Sequence, residues 1–210
     1  MSIKPLRQTL KALTRETLVD AAYAAFEQNG YVDTTVEDIV QRAGTSRPTF
    51  YAHFEGKAQV LEAIVDRLKL REEYQRSLAH FRAMKEPTVD ALQAWFEEYA
   101  DFYEKNLRIH KAIHQALIID REFAQWQISS LQDFIELWKS VGFIENTDSD
   151  DLRLAALMMF ALGDQFMYLW LVHGVPIERK KATRALAEAL RATILSDGRT
   201  GQLTAIRSGR

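Results

Sequence analysis

The chain has 210 residues, and 47% of them are hydrophobic, so it can bury a core large enough for one large or two small domains. It contains no cysteine, which excludes disulfides, thiolate zinc sites and cysteine nucleophiles and fits a cytoplasmic protein. Its formal net charge is −2, and residues 1–57 carry seven basic and seven acidic side chains, so any contact with nucleic acid depends on where the cations lie.

Residues 1–15 carry basic side chains and no acidic one, and this end of the chain lacks a hydrophobic signal segment. The cations are Lys4, Arg7, Lys11 and Arg15. Two interpretations stay open for the segment. It is either a flexible arm that reaches phosphates or a minor groove, or a solvated tail that makes no contact.

Two helices are predicted next. Residues 15–30 repeat apolar side chains at helical spacing and end in Gly30, which predicts an amphipathic helix with a glycine stop. A second helix is predicted to begin after Thr35, because Thr35 and Asp38 have the spacing of a capping box. Gly44 follows its last periodic residue, where a left-handed stop costs least.

A third, short helix follows that turn. Ser46 can cap it, and Pro48 falls in its first turn, where a missing N–H costs little. Phe50 and Phe54 are four residues apart and predict its core-facing side, which leaves polar and aromatic side chains on the other faces. A helix this short is organised for contact rather than for its own stability. Residues 34–57 therefore predict a helix-turn-helix with a recognition helix.

This succession of three helices resembles the N-terminal domain of the TetR family of transcriptional regulators. The matching residues cover about a quarter of the chain, in order and without gaps: Phe26, Gly30, Tyr31, Thr35, Val36, Ile39, Ala43, Gly44, Ser46, Phe50, Tyr51, His53, Phe54 and Lys57. Two positions depart from the commonest family pattern. Thr45 stands where an aliphatic residue usually packs, and Pro48 stands where glycine is frequent. Beyond Lys57 the resemblance rests on helix layout and length alone.

The recognition helix carries the predicted DNA contacts. Arg47 and Thr49 are predicted at base edges, because arginine pairs with guanine in bidentate fashion and the threonine methyl meets that of thymine. Pro48 stiffens the helix start between them. The resemblance implies phosphate contacts from Thr35, Ser46, Tyr51, His53 and Lys57. For Tyr51 and His53 the alternative is plain packing of the small domain.

The chain after Lys57 shows no strand alternation and no internal repeat. It predicts helices at about residues 58–84, 88–106, 108–119, 122–141, 151–173 and 177–196. The fifth of these is apolar on nearly every side, but Asp164 and Gln165 at its middle argue against a membrane span. Such a helix in a soluble protein must be covered on all sides, by its own domain and by a second subunit.

Small side chains recur along the last predicted helix and let neighbouring helices approach closely. The last two helices are therefore the predicted four-helix dimer interface, and their layout also resembles that of the family, in which a two-fold dimer matches a palindromic operator. The predicted interface residues are Leu154, Met158, Ala182, Ala185, Leu186, Ala189 and Thr193.

Aromatic side chains are dense in the C-terminal half and allow two interpretations, the lining of an apolar pocket or plain core. The candidate pocket residues are Trp95, Tyr99, Phe102, Tyr103, His114, Trp126, Phe134, Trp138, Phe166 and Trp170. The resemblance implies that a small hydrophobic effector enters this domain and changes the spacing of the two recognition helices.

The pattern predicts no metal, no cofactor and no enzyme. His110 and His114 have a metal-binding spacing, but neither an HExxH motif nor a cysteine accompanies them. The sequence also lacks a phosphate-binding glycine loop, a nucleophile elbow and a dinucleotide motif. Nothing in these residues indicates a catalytic centre.

We therefore predict an all-α protein with an N-terminal three-helix helix-turn-helix DNA-binding domain and a C-terminal helical bundle for ligand binding and dimerisation. The predicted boundaries are 1–57, 58–196 and a disordered tail at 197–210. The resemblance implies a cytoplasmic homodimer on palindromic double-stranded DNA, acting as a repressor released by a small apolar or aromatic effector, with no membrane partner. Two alternatives are a DNA-binding regulator controlled by a protein partner, and a helical ligand-binding protein with a silent helix-turn-helix.

Overall fold

The computed structural model describes residues 3–68, 70, 80, 88–129 and 149–195, and these contain helices and no strand, as predicted. The helices are α1 (Ile3–Asp33), α2 (Val36–Arg42), α3 (Arg47–Tyr51), α4 (Lys57–Arg67), α5 (Val89–Lys105), α6 (Leu107–Ile119), α7 (residues 121–129), α8 (Ser149–Met167) and α9 (Arg179–Leu195). None of the helices in these ranges is both long and apolar enough to span a bilayer.

The helices belong to two compact units. The first comprises Met1–Glu72 and Asn106–Ile128, and the second comprises Glu73–Lys105 and Ser129–Arg210. The predicted functional division after residue 57 stays a prediction, as does the predicted tail, which lies outside the described residues.

The first unit is built on α1, which packs against α2, α4 and α6. Its core is made of apolar side chains from these helices and α3, including the fully buried Leu18, Phe26, Ile39, Phe50 and Ile64. The predicted glycine stop is confirmed, since Gly30 has φ +78° and ψ 177° and interrupts the helix three residues before its end. Phe50 and Phe54 are both buried, as the periodicity of the third helix predicted.

Two expectations for this unit were wrong. Residues 3–14 are not a flexible arm, because they continue α1 as helix, whereas the solvated alternative stays open, since the side chains of residues 7–13 are exposed. Pro5 is tolerated there because it lies in the first turn, where its missing N–H has no helical partner. The expectation of a single helix over 58–84 is also wrong, since α4 ends at Arg67 and Leu68 forms its C-cap. No glycine or proline marks that end, so periodicity alone gave no signal for it.

The second unit is organised by the packing of α9 on α5. Leu92, Ala100 and Tyr103 are fully buried on α5, and α9 contributes an apolar face of its own. Arg179 fixes the first turn of α9, because its Nη2 donates to the Glu97 carbonyl at 2.9 Å and its Nη1 donates to Glu104 at 3.1 Å.

The predicted helix at 151–173 does not stay α-helical to its end. After α8 the residues Tyr168–Val172 form a π-helical turn, in which the His173 N–H donates to the Tyr168 carbonyl at 3.1 Å. Gly174 then turns the chain with φ +68°. The indole N–H of Trp170 donates to the Ile177 carbonyl at 3.1 Å and closes this turn.

Candidate nucleic-acid interface

The start of α2 is fixed by the predicted capping box. The Asp38 backbone N–H donates to the Thr35 hydroxyl at 3.1 Å, and the Thr35 backbone N–H donates to the Asp38 carboxylate at 2.8 Å. The Thr35 hydroxyl also donates to that carboxylate at 2.6 Å. These hydrogen bonds to the charged form lower the pKa of Asp38. Thr35 is exposed, so the predicted phosphate contact at this helix end has access to solvent.

The turn between α2 and α3 uses Gly44 and Ser46 as the sequence predicted. Gly44 has φ +63°, a conformation in which a side chain would be strained. The N–H of Thr45 then donates to the Val40 carbonyl at 2.9 Å. Ser46 caps α3, and its hydroxyl also shares a hydrogen bond of 2.9 Å with the Thr49 hydroxyl. One end of the turn is therefore held by a backbone hydrogen bond and the other by the side-chain hydrogen bonds of Ser46.

The recognition helix α3 has one buried face and one exposed face. Phe50 is fully buried, and its ring packs 5.7 Å from that of Phe54. Arg47 and Tyr51, four residues apart, lie on an exposed face, where a hydrogen bond with Tyr51 is the main cause of a raised Arg47 pKa. Pro48 is exposed beside them. This face presents a cation and a phenol to a ligand. The helix that carries them is anchored to the core by Phe50.

Thr49 is less accessible than Arg47. It is half-buried, and its hydroxyl is engaged with Ser46, so its methyl group is the part that suits the predicted thymine contact.

Lys57 is drawn into the interior of the first unit. Its ammonium donates to the carbonyls of Tyr31 at 2.8 Å and Thr34 at 2.7 Å, and it lies 4.4 Å from the centroid of the Tyr31 ring. Burial lowers the Lys57 pKa. Two of its three N–H donors are thus used within the chain, and the predicted phosphate contact depends on the third.

The end of the recognition helix lies beside α1. The Arg15 guanidinium stacks 4.9 Å from the centroid of the Phe54 ring. His53, one residue earlier, is half-buried, and burial followed by the charges of Lys11 and Arg15 lowers its pKa. The basic segment, which the sequence left open as an arm or a tail, therefore borders the predicted DNA-reading surface.

A polar cluster around Tyr31 was missed by the sequence analysis. The Tyr31 N–H donates to Gln115 Oε1 at 2.7 Å, and its hydroxyl donates to Asp120 at 2.5 Å. Gln115 lies on α6 and Asp120 follows it, more than 80 positions along the chain, so local periodicity carried no signal for the pair. The cluster ties the end of α1, where the helix-turn-helix begins, to α6.

The candidate pocket residues divide between the two units. His114 and Trp126 belong to the first unit, whereas Phe134 and Trp138 lie outside the described residues. The remaining candidates belong to the second unit, namely Trp95, Tyr99, Phe102, Tyr103, Phe166 and Trp170. The division leaves α5, the end of α8 and the π-helical turn after it as the part of the prediction that falls within one compact unit.

The aromatic side chains of α5 form a continuous run. Trp95 and Tyr99 stack with an interplanar angle of 7°, and Tyr99 contacts the rings of Phe102 and Tyr103 with centroids 6.4 Å and 6.2 Å away. Burial, followed by the charge of Asp164, raises the pKa of both Tyr99 and Tyr103. The run thus combines apolar ring surface with a carboxylate from α8.

The residues predicted for a dimer interface fall on two kinds of surface. On α8, Leu154 is 57% exposed and Met158 is 58% exposed, and the two lie four residues apart on one face. Leu162 continues that face at 40% exposure. Such a row of exposed apolar side chains is available to a second molecule.

The predicted residues of α9 differ in exposure. Ala182 and Leu186 are buried in the packing of α9 on α5. Ala185 is exposed and Ala189 is half-buried, while the side chain of Thr193 lies outside the described residues.

His110 and His114 are not part of a metal-ligand cluster. Among the described residues, no group of three or more histidine, aspartate or glutamate side chains is arranged to hold a metal ion.

The helix-turn-helix matches a known family. Residues 18–64 match the family model of the bacterial regulatory proteins of the TetR family. The transcriptional regulator TtgR of Pseudomonas putida is 40% identical over 55 residues, which are 26% of this chain and 26% of that protein. The transcriptional activator FasR of Mycolicibacterium smegmatis is 22% identical over 184 residues, which cover 83% of this chain and 80% of that one.

Solved structures extend the likeness to most of the fold. SmeT, the repressor of the Stenotrophomonas maltophilia multidrug efflux pump SmeDEF, is 25% identical with a TM-score of 0.57, over 87% of this chain and 89% of that one. The complex of SmeT with triclosan is 26% identical with a TM-score of 0.58, over 88% and 91% of the two chains.

The alignments with the first four curated relatives cover between 24% and 39% of their lengths. Because the family model falls on the helix-turn-helix and the structural likeness covers both units, the predicted family and the predicted all-α fold are confirmed. The family model, the curated relatives and the solved structures all indicate the TetR family of bacterial regulatory proteins.

Proposed function

We propose that the protein is a cytoplasmic, sequence-specific DNA-binding regulator of transcription that acts as a homodimer on a palindromic operator. The observation that carries this proposal is the exposed face of α3, where Arg47 projects from a helix fixed by the Ser46 cap and the buried Phe50. An arginine held on a rigid helix is the commonest reader of guanine in a major groove. No catalytic role is part of the proposal.

The proposal is tested by selecting binding sites from random duplex DNA at a fixed salt concentration. We expect a palindrome with half-sites about 34–36 Å apart, one turn of the double helix. Absence of any enriched sequence, even at low salt, would contradict the proposal and favour a ligand-binding protein with a silent helix-turn-helix.

Arg47→Ala is expected to relax base preference at one position of each half-site, with a cost of about 1–3 kcal/mol at that position. The measurement is the affinity of wild type and variant for the selected operator and for its single-base variants. Arg108→Ala, at another exposed arginine of the first unit, is the matched control and should leave the preference unchanged. An equal loss on all sequences would mean that Arg47 contacts only phosphate.

We further propose that a small apolar or aromatic effector binds the aromatic run of α5 and releases the protein from DNA as a repressor. SmeT is seen in complex with triclosan, an aromatic compound, and this supports the ligand class. Here Trp95 and Tyr99 offer stacked ring surface, and Asp164 offers a carboxylate close to it. Aromatic pockets with a few polar groups are typical of drug-sized ligands.

Triclosan is the probe for this second proposal. We expect it to quench tryptophan fluorescence and to lower operator affinity, and Tyr99→Ala should weaken its binding about tenfold, or roughly 1.4 kcal/mol. Tyr51→Ala, an exposed tyrosine of α3, should leave triclosan binding unchanged. A further outcome is that the protein binds its operator but neither triclosan nor any of a panel of similar aromatic compounds. In that case control by a protein partner becomes the better hypothesis.

A further inference from the structure

The helical start of α1 turns scattered basic residues into a single charged face. Arg7, Lys11 and Arg15 follow one another at intervals of four, so on a helix their side chains lie on the same side. All three are exposed. At a rise of 1.5 Å per residue the eight residues from the first to the last span about 12 Å. We call these three residues the basic stripe.

The basic stripe has its C-terminal end beside the residues that follow the recognition helix. Its last member, Arg15, stacks on the ring of Phe54, which lies three residues after the end of α3 and next to His53. The charge of Lys11, one turn earlier, is close enough to contribute to the lowered pKa of His53. The stripe thus continues from the end of the predicted DNA-reading surface instead of occupying an unrelated part of the unit.

The segment that carries the stripe has no acidic side chain of its own. Residues 1–15 contain no acidic side chain, and the ion pair of Arg15 with Glu16 at 3.9 Å is about half exposed on both sides. Exposed pairs of this kind contribute about 0–1 kcal/mol and are easily exchanged for another anion. Exposed cations that continue a DNA-binding face are placed to contact phosphates.

We propose that the basic stripe binds backbone phosphates of duplex DNA next to the bases read by α3. The contact lengthens each half-site beyond the recognition helix and adds affinity without adding base preference. This inference rests on the proposed function, because it requires that α3 lie in a major groove.

The test is the salt dependence of operator binding by Arg7→Gln/Lys11→Gln, which keeps helix-compatible side chains and removes two charges. Each lost phosphate contact lowers the slope of log K against log salt by about 0.9, so the slope should fall by about 1.8 per half-site. At 0.1 M salt the same term predicts about a 60-fold weaker half-site. The base preference found by selection should not change.

Lys180→Gln/Lys181→Gln is the matched control, since it removes the same charge from exposed residues of the unit that lacks the helix-turn-helix. It should leave the slope and the affinity unchanged. A second comparison uses the unmodified protein on operators with and without flanking base pairs, and only the flanked duplex should show the additional slope.

The outcomes separate the two proposals. If wild type binds no operator, the proposed function fails and the stripe has no role on DNA. If wild type binds and the double variant shows the same affinity and slope, the stripe inference alone is overturned. Leu10 and Leu13 of the same helix are exposed, so binding of wild type and the double variant to anionic lipid vesicles is measured as well. Loss of vesicle binding without loss of operator affinity would also overturn the inference.

Discussion

Replacing Gly30 with alanine is expected to lower the free energy of unfolding by about 2–4 kcal/mol. Gly30 has φ +78° and ψ 177°, a region of backbone space that is essentially restricted to glycine. Forcing another residue into such a conformation costs about 1–3 kcal/mol. The substitution therefore strains the backbone at the point where α1 ends and the helix-turn-helix begins.

A second cost comes from Gln115 of α6. A Cβ atom added at Gly30 would lie 2.6 Å from Gln115 Oε1, the same oxygen that accepts the Tyr31 N–H. The side chain can move away, but the hydrogen bond is then lost, at about 0.5–1.5 kcal/mol. The two costs add because one is backbone strain and the other is a lost side-chain contact.

Thermal unfolding followed by circular dichroism measures the effect. For a chain of this size each kcal/mol shifts Tm by about 2–4 °C, so Gly30→Ala should melt about 4–16 °C below wild type. Gly44→Ala is the matched control, because φ is +63° there and a Cβ would meet no atom within 4 Å. It should show backbone strain without the second cost.

The Gln115→Ala background isolates the contact. There Gly30→Ala should cost less than in wild type, by the energy of the lost hydrogen bond. If Gly30→Ala melts within about 1 °C of wild type, the sharp bend at Gly30 is not a feature of the folded protein.

The first unit shows which features a sequence encodes locally. The capping box of Thr35 and Asp38, the stop at Gly44 and the cap at Ser46 each involve residues at most four apart, and each was predicted and found. Such motifs satisfy backbone groups within one turn, so their residue types and spacing are sufficient evidence. The positions of Phe50 and Phe54 followed from helical periodicity for the same reason.

Long-range contacts were not predictable in this way. Lys57 was assigned a phosphate from its place in the motif, whereas its ammonium lies on the carbonyls of Tyr31 and Thr34. Gln115 reaches Tyr31 across 84 positions. A single sequence carries no record of such pairs, because neither partner is chosen by the periodicity of its own helix.

The start of α1 was misjudged for a different reason. The segment carries the Arg7, Lys11 and Arg15 spacing of one helix face, but its cations were interpreted only as those of an arm or a solvated tail. The four-residue interval was the available signal. On α9, by contrast, the small residues were predicted to pack at a dimer interface, and Ala182 and Leu186 are already buried by packing within one chain. The composition of a helix indicates that it packs closely, but it does not identify the partner against which the helix packs.

Replacing Leu154 and Met158 with glutamate is expected to convert the protein into monomers and to abolish tight operator binding. Both side chains are more than half exposed, so in a single chain the substitution places carboxylates in water at little cost to folding. In the proposed dimer the same carboxylates would be buried without partners. Uncompensated buried charge costs about 3–5 kcal/mol, which corresponds to a dissociation constant roughly 100-fold to 4,000-fold higher.

Light scattering after size-exclusion chromatography measures the mass, and circular dichroism checks that the helices are retained. The matched control is Ile118→Glu/Ile119→Glu, since these side chains are 84% and 57% exposed on α6 and outside the predicted interface. The control should remain dimeric. Ala185→Glu/Ala189→Glu on α9 tests the other half of the prediction and should give the same loss as the α8 pair.

Operator binding then links the oligomeric state to recognition. A monomer presents one recognition helix, so the α8 variant should bind a palindrome no more tightly than a single half-site, whereas wild type should prefer the palindrome strongly. A variant that stays dimeric would refute the α8 interface. A monomeric variant that still prefers the palindrome would separate dimerisation from operator choice, and α3 alone would then have to account for the symmetry of the site.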